Sequence, residues 1–271
     1  MPSFGFGVFQ IPKGEATQRA VKEALEAGCR HIDTATHYGN EADVGVAIRA
    51  SGVPREHVWV TTKVCTVDFG KERTKDAVRR SYDLLELGPI NLVLLHFPGP
   101  PWLRDETWKG LQECRDEGLV LNIGVSNFEI EHLERHFRVF KDGEIPCVNQ
   151  FEVSPFLQRR ELVRFCQENG ILVQAYSALC QGRRIDDPTL DRISRIVSKS
   201  PAQILLRWSI QRGLVPLFKS CSPSQRKENF DLFDWTLSEG GQEEGENLME
   251  QLDQLEANFR TGINPKANFP V

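Results

Sequence analysis

The sequence lacks any arrangement of cysteines that would bind a metal or form a disulfide framework. Its seven cysteines are scattered, with no Cys-x-x-Cys pair and no histidine and cysteine cluster at the spacing of zinc ligands. An odd, dispersed set of thiols is typical of a reducing compartment. We therefore predict a cytoplasmic protein without a metal site.

Long apolar runs and an excess of positive charge are also missing. No window of the 271 residues is apolar enough over its length to span a bilayer, and the first residues do not show the basic and then apolar pattern of a signal peptide. The net charge of −5 argues against nucleic acid or an anionic membrane as a partner. Because no long amphipathic surplus is visible, we expect a monomer.

A glycine-rich dinucleotide-binding turn is the third absence. Gly5-x-Gly7 is followed by Gln10 where the Rossmann pattern requires its third glycine. The sequence instead repeats one unit, in which an amphipathic helical stretch ends at a glycine and a short β-branched strand follows. A glycine just past a helix can take the left-handed conformation that closes the last turn. The glycines of the seven units are Gly28, Gly52, Gly88, Gly118, Gly143, Gly170 and Gly213.

Seven such units and one earlier strand give eight predicted strands. They span residues 5–10, 31–35, 58–64, 91–96, 120–126, 147–153, 171–177 and 214–220. Eight strands that alternate with helices predict a parallel (β/α)8 TIM barrel, formed by residues 1–271 as a single domain, rather than an open doubly wound sheet. In the last third we predict helices at residues 188–198, 201–212, 224–232 and 246–257, and then an irregular tail.

Polar side chains stand at the carboxyl ends of the predicted strands, where barrel enzymes carry their chemistry. Asp33 and Tyr38 follow the second strand, Lys63 lies near the end of the third, and His96 ends the fourth. Each alone has an ordinary explanation, such as an aspartate that accepts loop amides, a packed tyrosine, a helix-capping lysine or a core histidine. Together they describe an acid, a base and charge-compensating groups at one mouth.

These four side chains would suit the protonation of a developing alkoxide. The Lys63 ammonium is expected to stabilise the phenolate of Tyr38 and so lower its pKa from the ordinary value of about 10. Asp33 would hold Lys63 in place, and a neutral His96 would donate a hydrogen bond to a substrate oxygen. No side chain delivers hydride, so a bound nicotinamide would have to supply it.

Six separate motifs make the sequence similar to the aldo-keto reductases. They are residues 31–41, 61–63, 94–98, 123–128, 148–150 and 219–220, in that order. The match runs from about residue 5 to residue 233 and resembles the short-loop members most, including the prostaglandin F synthase and 2,5-diketogluconate reductase types. The resemblance implies a TIM barrel that binds NADPH without a Rossmann fold and reduces aldehydes and ketones to alcohols.

The resemblance also implies a role for each matching residue. Tyr38 would be the general acid, with Lys63 and Asp33 tuning it and His96 orienting the carbonyl. The residues expected to bind NADPH are Ser126, Asn127, Gln150, Tyr176, Ser177, Leu179, Lys219, Ser220, Glu228 and Asn229. Those expected to line the substrate pocket are Phe9, His37, Cys65, Phe97 and Trp102.

Two further functions stay open at this point. One is a non-catalytic NADPH-binding protein on the same scaffold. The other is a barrel lyase that uses Lys63 as a Schiff-base nucleophile, which requires a neutral amine. Within the reductase interpretation, Gln225 stands where relatives commonly carry arginine, which predicts a weaker preference for NADPH over NADH.

Overall fold

A closed barrel of eight parallel strands forms the centre of the protein. The computed structural model describes residues 1–140, 144–219, 228–239 and 246–269. Each strand pairs with the next in chain order, and the last pairs with the first. The strands are β1 (Gly5–Gly7), β2 (His31–Asp33), β3 (Trp59–Val64), β4 (Leu92–Leu95), β5 (Ile123–Ser126), β6 (Val148–Glu152), β7 (Leu172–Tyr176) and β8 (Val215–Phe218). The predicted TIM barrel is confirmed, although the predicted spans also included loop residues at the strand ends.

Helices surround the barrel and connect its strands. They are α1 (Glu15–Glu26), α2 (Glu41–Ala50), α3 (Lys71–Leu85), α4 (Pro101–Asp116), α5 (Ile130–Val139), α6 (Arg160–Glu168), α7 (Pro188–Val197), α8 (Pro201–Gln211), α9 (Leu248–Asp253) and α10 (Pro265–Asn268). Six of the seven glycines that we predicted to follow helices have positive φ, and Gly143 lies outside the described residues. At the end of α3 the first left-handed residue is Glu86, two positions before Gly88.

The last third of the chain differs from the prediction in two places. The helix predicted at residues 246–257 is shorter, since α9 covers only Leu248–Asp253. The tail is not wholly irregular as predicted, because α10 forms where Pro265 occupies the first helical position with a suitable φ. Of the helix predicted at residues 224–232, residues 224–227 lie outside the described residues, and only residues 228–229 of the remainder are helical. Within the described ranges, no helix has the length and apolar character needed to cross a membrane.

The core contains a small apolar cluster as well as buried polar side chains. Leu92, Leu94 and Val148 form a small buried cluster there. His31 is fully buried, with its Nε2 2.9 Å from the hydroxyl of Thr61. Burial, and secondarily the charge of Lys63, lower the pKa of His31 to about 3. The histidine is therefore neutral at physiological pH.

Helices α3 and α4 pack closely and carry a row of ion pairs along their shared seam. Gly110 permits the close approach, because a Cβ there would lie 2.7 Å from the carbonyl oxygen of Lys71. Lys75 Nζ lies 2.6 Å from Glu113 and 3.1 Å from Glu117, and Lys71 also pairs with Glu113. With Arg79, which pairs with Glu117 at 3.0 Å, the seam joins three cations of α3 to two carboxylates at the C-terminal end of α4.

Gly45 sets the distance between α2 and α3. A Cβ at this position would lie 2.1 Å from the carbonyl oxygen of Leu85, so Gly45→Ala forces the helices apart. We expect a loss of about 1–3 kcal/mol, or more, in the free energy of unfolding measured with urea. Val46→Ala is the matched control, since Val46 is 40% exposed on the same helix. Equal stability of Gly45→Ala and the wild type would contradict this packing.

Candidate active site

A buried lysine is the centre of the polar layer above the barrel base. Lys63 is 1% exposed, and its ammonium donates to Asp33 Oδ1 at 2.5 Å, to the carbonyl oxygen of Thr34 at 2.9 Å and to Tyr38 Oη at 3.4 Å. Burial alone would disfavour the charge. Asp33 and Tyr38 outweigh it and raise the pKa of Lys63, so the amine stays protonated. The structure thus joins three of the four residues predicted to be catalytic.

The fourth residue, His96, lies against Tyr38, with their ring centroids 5.8 Å apart. Burial and then the charge of Lys63 hold the pKa of His96 well below its ordinary value, so its ring is neutral as expected. The expected shift of Tyr38 was wrong in direction. Burial raises the pKa of Tyr38, and the opposing effect of Lys63 is smaller, so the phenol remains protonated.

A network of amides and hydroxyls continues from Asp33 across the mouth. Gln150 Nε2 donates to Asp33 Oδ2 at 2.9 Å, and Ser126 Oγ donates to the carbonyl oxygen of Gln150 at 2.8 Å. Asn127 Nδ2 donates to Ser126 Oγ at 3.0 Å, while Asn127 Oδ1 accepts from the phenol of Tyr176 at 2.8 Å. These predicted cofactor residues are therefore in direct contact with the predicted catalytic cluster.

The remaining predicted cofactor residues lie further from this centre. Ser177 and Leu179 are half-buried just past β7, and Ser177 has a left-handed backbone with φ 51°. Lys219 is exposed after β8, with its Nζ 3.4 Å from Gln10. Glu228 is exposed, and Asn229 is buried. Ser220 and Gln225, on which the expected phosphate contacts depend, lie outside the described residues.

Two of the predicted substrate-pocket residues contact the predicted catalytic cluster. The ring of Phe9 lies 4.9 Å from that of Tyr38, and Phe97 stacks on His96 at 5.0 Å. Trp102 is 77% exposed at the start of α4.

Two more pocket residues are placed elsewhere. His37 and Cys65 line a cavity of about 410 Å³ between the start of α2 and α3, together with residues such as Glu41 and Ser81. This cavity contains none of the four residues predicted to be catalytic.

Sequence reasoning missed three residues of this region. Gln174 accepts from Gln150 at 2.7 Å, Glu152 is buried at the end of β6, and Phe269 stacks on Phe97 at 5.1 Å. The period of two along a strand could have revealed Glu152, since it follows Gln150 on the same face. No local pattern marks Phe269.

The chemistry of the polar network fits a nicotinamide. A primary carboxamide needs both donors and acceptors, and this region carries both. The Ser126 hydroxyl bonds the Asn127 amide and the backbone carbonyl oxygen of Gln150, and the side-chain amide of Gln150 bonds Asp33. The ring of Tyr176 offers a flat apolar surface beside them. This part of the chain can therefore hold the reactive end of a nicotinamide cofactor.

Removal of the Lys63 charge should destabilise the fold as well as the site. In Lys63→Met, the carboxylate of Asp33 would stay buried with no cation beside it. Breaking a buried ion pair in this way typically costs about 3–5 kcal/mol, to be measured by urea denaturation. The double variant Lys63→Met/Asp33→Asn removes both charges and should recover much of that loss. Wild-type stability of Lys63→Met would contradict the pairing.

Comparisons with known proteins agree with this geometry. The model of the aldo/keto reductase family matches residues 4–244. A 9,11-endoperoxide prostaglandin H2 reductase of Trypanosoma cruzi is 44% identical over 273 residues, which cover 100% of this chain and 93% of the relative. A glyoxal reductase of Bacillus subtilis is 41% identical and covers 98% and 92%, respectively.

Solved structures give the same result. An aldo-keto reductase from a Medee basin deep-sea metagenome library superposes with a TM-score of 0.90 at 35% identity, covering 98% of this chain and 95% of that one. An aldo/keto reductase from Brucella melitensis has a TM-score of 0.87 at 41% identity, covering 94% and 95%. With its eight-stranded barrel and buried polar mouth, the chain belongs to the aldo/keto reductase family.

Proposed function

We propose that this protein is an NADPH-dependent reductase of aldehydes and ketones that uses Tyr38 as its general acid. The observation that carries the proposal is the buried ammonium of Lys63, held between the carboxylate of Asp33 and the phenol of Tyr38. A protonated phenol beside a fixed cation is suited to give its proton to an oxygen that becomes negative.

Each of the four side chains has a distinct task in this proposal. Tyr38 holds the proton on its Oη, and Lys63 stabilises the phenolate that remains after transfer. Asp33 keeps Lys63 charged and in place. His96, being neutral, donates a hydrogen bond that orients the substrate oxygen. When bound, NADPH supplies the hydride.

The cofactor assignment is supported by two regions of the chain. Ser126, Asn127 and Gln150 provide donors and acceptors for the carboxamide. At the other end of the predicted site, the exposed ammonium of Lys219 is a suitable partner for a 2′-phosphate, which favours NADPH over NADH. The six described cysteines are free, which suits a cytoplasmic location, and we retain the assignment of a monomer.

Apolar carbonyl compounds are the proposed substrate class. Phe9 and Phe97 present aromatic rings beside Tyr38 and His96. The named relatives reduce glyoxal and prostaglandin H2, so a small dicarbonyl is a candidate carbonyl substrate, and an endoperoxide is a candidate outside the carbonyl class.

The test is NADPH consumption over a panel of nitrobenzaldehyde, phenanthrenequinone, methylglyoxal, a keto-sugar and prostaglandin H2. Turnover of at least one carbonyl with formation of its alcohol is the expected result. Tight NADPH binding without turnover of any of them would favour the non-catalytic binding protein. A lyase would instead give a borohydride-trapped adduct on Lys63, which the charged state of that amine argues against.

A further inference from the structure

The tail that follows α9 returns to the rim of the barrel and is held there by backbone contacts. The amides of Ala257 and Phe259 both donate to the carbonyl oxygen of Phe156, at 3.2 and 2.9 Å. The guanidinium of Arg184 lies 4.4 Å from the ring centroid of Phe259. Glu256 accepts from the amide of Gln158 at 2.6 Å. The tail is thus fixed beside β6 before it reaches the mouth.

Glu152 is the next attachment point, and it is a buried one. Its side chain ends β6 and is 2% exposed. Oε1 accepts from the amide and the hydroxyl of Thr261, both at 2.6 Å, and Oε2 accepts from the amide of Gly262 at 2.9 Å. Hydrogen bonds to a carboxylate are about twice as strong as neutral ones. Both oxygens of this strand residue therefore bind the tail.

The anchored tail contacts the site at two points. A Cβ added at Gly262 would lie 3.4 Å from the phenol oxygen of Tyr176, so the tail backbone passes beside that side chain. Further along, Phe269 stacks on Phe97 at 5.1 Å, and its carbonyl oxygen lies 3.1 Å from Nε2 of His132. One tail segment thus touches both the predicted nicotinamide platform and the aromatic wall next to His96.

The contacts of Glu152 could serve only to stabilise the fold, or they could set the position of Phe269. The contacts of Phe156 and Arg184 already hold the tail near β6, several residues before the mouth. The three bonds to Glu152 fix the part that follows, which leads to Phe269. Loss of these bonds should therefore displace Phe269 and leave the stability of the barrel nearly unchanged.

We propose that Glu152 is a positioning residue that holds residues 261–269 across the mouth. In this position Phe269 packs against the apolar surface of large substrates and so helps to bind them. The inference rests on the proposed carbonyl reductase function. It assigns a task to a carboxylate that transfers no proton and contacts no reacting atom. Its effect should be confined to substrates large enough to reach Phe269.

The experiment compares Glu152→Gln with wild-type enzyme on two α-dicarbonyls of different size. Glutamine keeps the shape but replaces one acceptor with a donor that faces a donor of the tail. We expect KM for phenanthrenequinone to rise at least 10-fold, with KM for methylglyoxal and kcat for both within about 2-fold, roughly the spread of minor surface changes. Glu256→Gln removes the other tail-binding carboxylate and serves as the matched control.

A second variant tests whether Glu152 acts on substrate binding through Phe269. Phe269→Ala should reproduce the rise in KM for phenanthrenequinone, and the double variant with Glu152→Gln should be no worse than either single one. Additive effects, or equal changes for both substrates, would overturn the proposal. So would a variant of altered stability with unchanged kinetic constants.

A readout without turnover separates this inference from the proposed function. Amide hydrogen exchange at residues 261–269 should quicken at least 10-fold in Glu152→Gln, with the barrel strands unchanged. If the wild type reduces no carbonyl, the proposed function fails while this anchoring is still measured. Unchanged exchange in an active enzyme would overturn the anchoring alone.

Discussion

Replacement of Tyr38 by phenylalanine is expected to lower turnover by about 100-fold or more, the usual worth of a general acid. The variant keeps the ring that packs against Phe9 and His96 and loses only the hydroxyl near Lys63. Because the phenol bonds Lys63 and not the amides of the proposed carboxamide site, NADPH affinity should persist. Turnover is measured by NADPH consumption and affinity by quenching of tryptophan fluorescence.

Tyr82→Phe is the matched control for this experiment. Tyr82 is half-buried on α3, so this variant removes an equivalent tyrosine hydroxyl at a position away from the mouth. Its turnover should equal that of the wild type. Retention of most of the activity in Tyr38→Phe, with an unchanged fold by circular dichroism, would remove this phenol from the mechanism.

Mild acid is expected to destabilise the protein steeply, because buried histidines cannot take up protons in the folded state. Burial lowers the pKa of His31 to about 3 and also lowers those of His96 and His136. Below the ordinary value of 6.5, the unfolded chain binds protons at these positions and the folded chain does not. Stability is therefore complete above 6.5 and is lost as the pH falls towards the folded values.

One buried carboxyl acts in the opposite direction. Burial raises the pKa of Glu41, so its contribution is present at low pH and disappears as the pH rises through the folded value. His96 and His136 act in the same direction as His31, and Glu41 opposes them. At about 1.4 kcal/mol per proton, His31 alone should lower the unfolding free energy by about 1.4 kcal/mol per pH unit once the pH is well below 6.5.

Urea denaturation at a series of pH values from 7 to 5 measures this slope. In His31→Gln the slope should decrease by about one proton, or about 1.4 kcal/mol per pH unit. His57→Gln, at an exposed position, is the control and should keep the wild-type slope. A wild-type stability that does not change between pH 7 and 5 would show that these rings are not held neutral.

The fold could be predicted from the sequence because each of its units carries a local signal. Glycines after helices and apolar strands are set by backbone conformation and burial, which depend on few neighbours. The proposed catalytic cluster could also be predicted, because Asp33, Lys63 and His96 stand at the ends of consecutive strands. In a parallel barrel those ends must meet, so sequence order alone brings these residues together.

Other features depended on contacts that no local pattern records. Thr261 binds Glu152 across 109 residues of sequence, and tail composition gives no indication of that pairing. The pKa of Tyr38 is a balance in which burial exceeds the effect of Lys63, and the degree of burial is known only from the packed structure. His37 and Cys65 follow their strands as expected but turn toward a flanking cavity.

The ion-pair seam between α3 and α4 has a consequence for heating. The hydration of charged groups becomes less favourable as temperature rises, so the penalty for bringing Lys75, Glu113 and Glu117 together decreases. These ion pairs should therefore contribute more to the free energy of unfolding near the melting temperature than at room temperature. Concentrated salt would screen the same charges. The contribution of this seam to stability should therefore be largest in dilute buffer at high temperature, and concentrated salt would remove it.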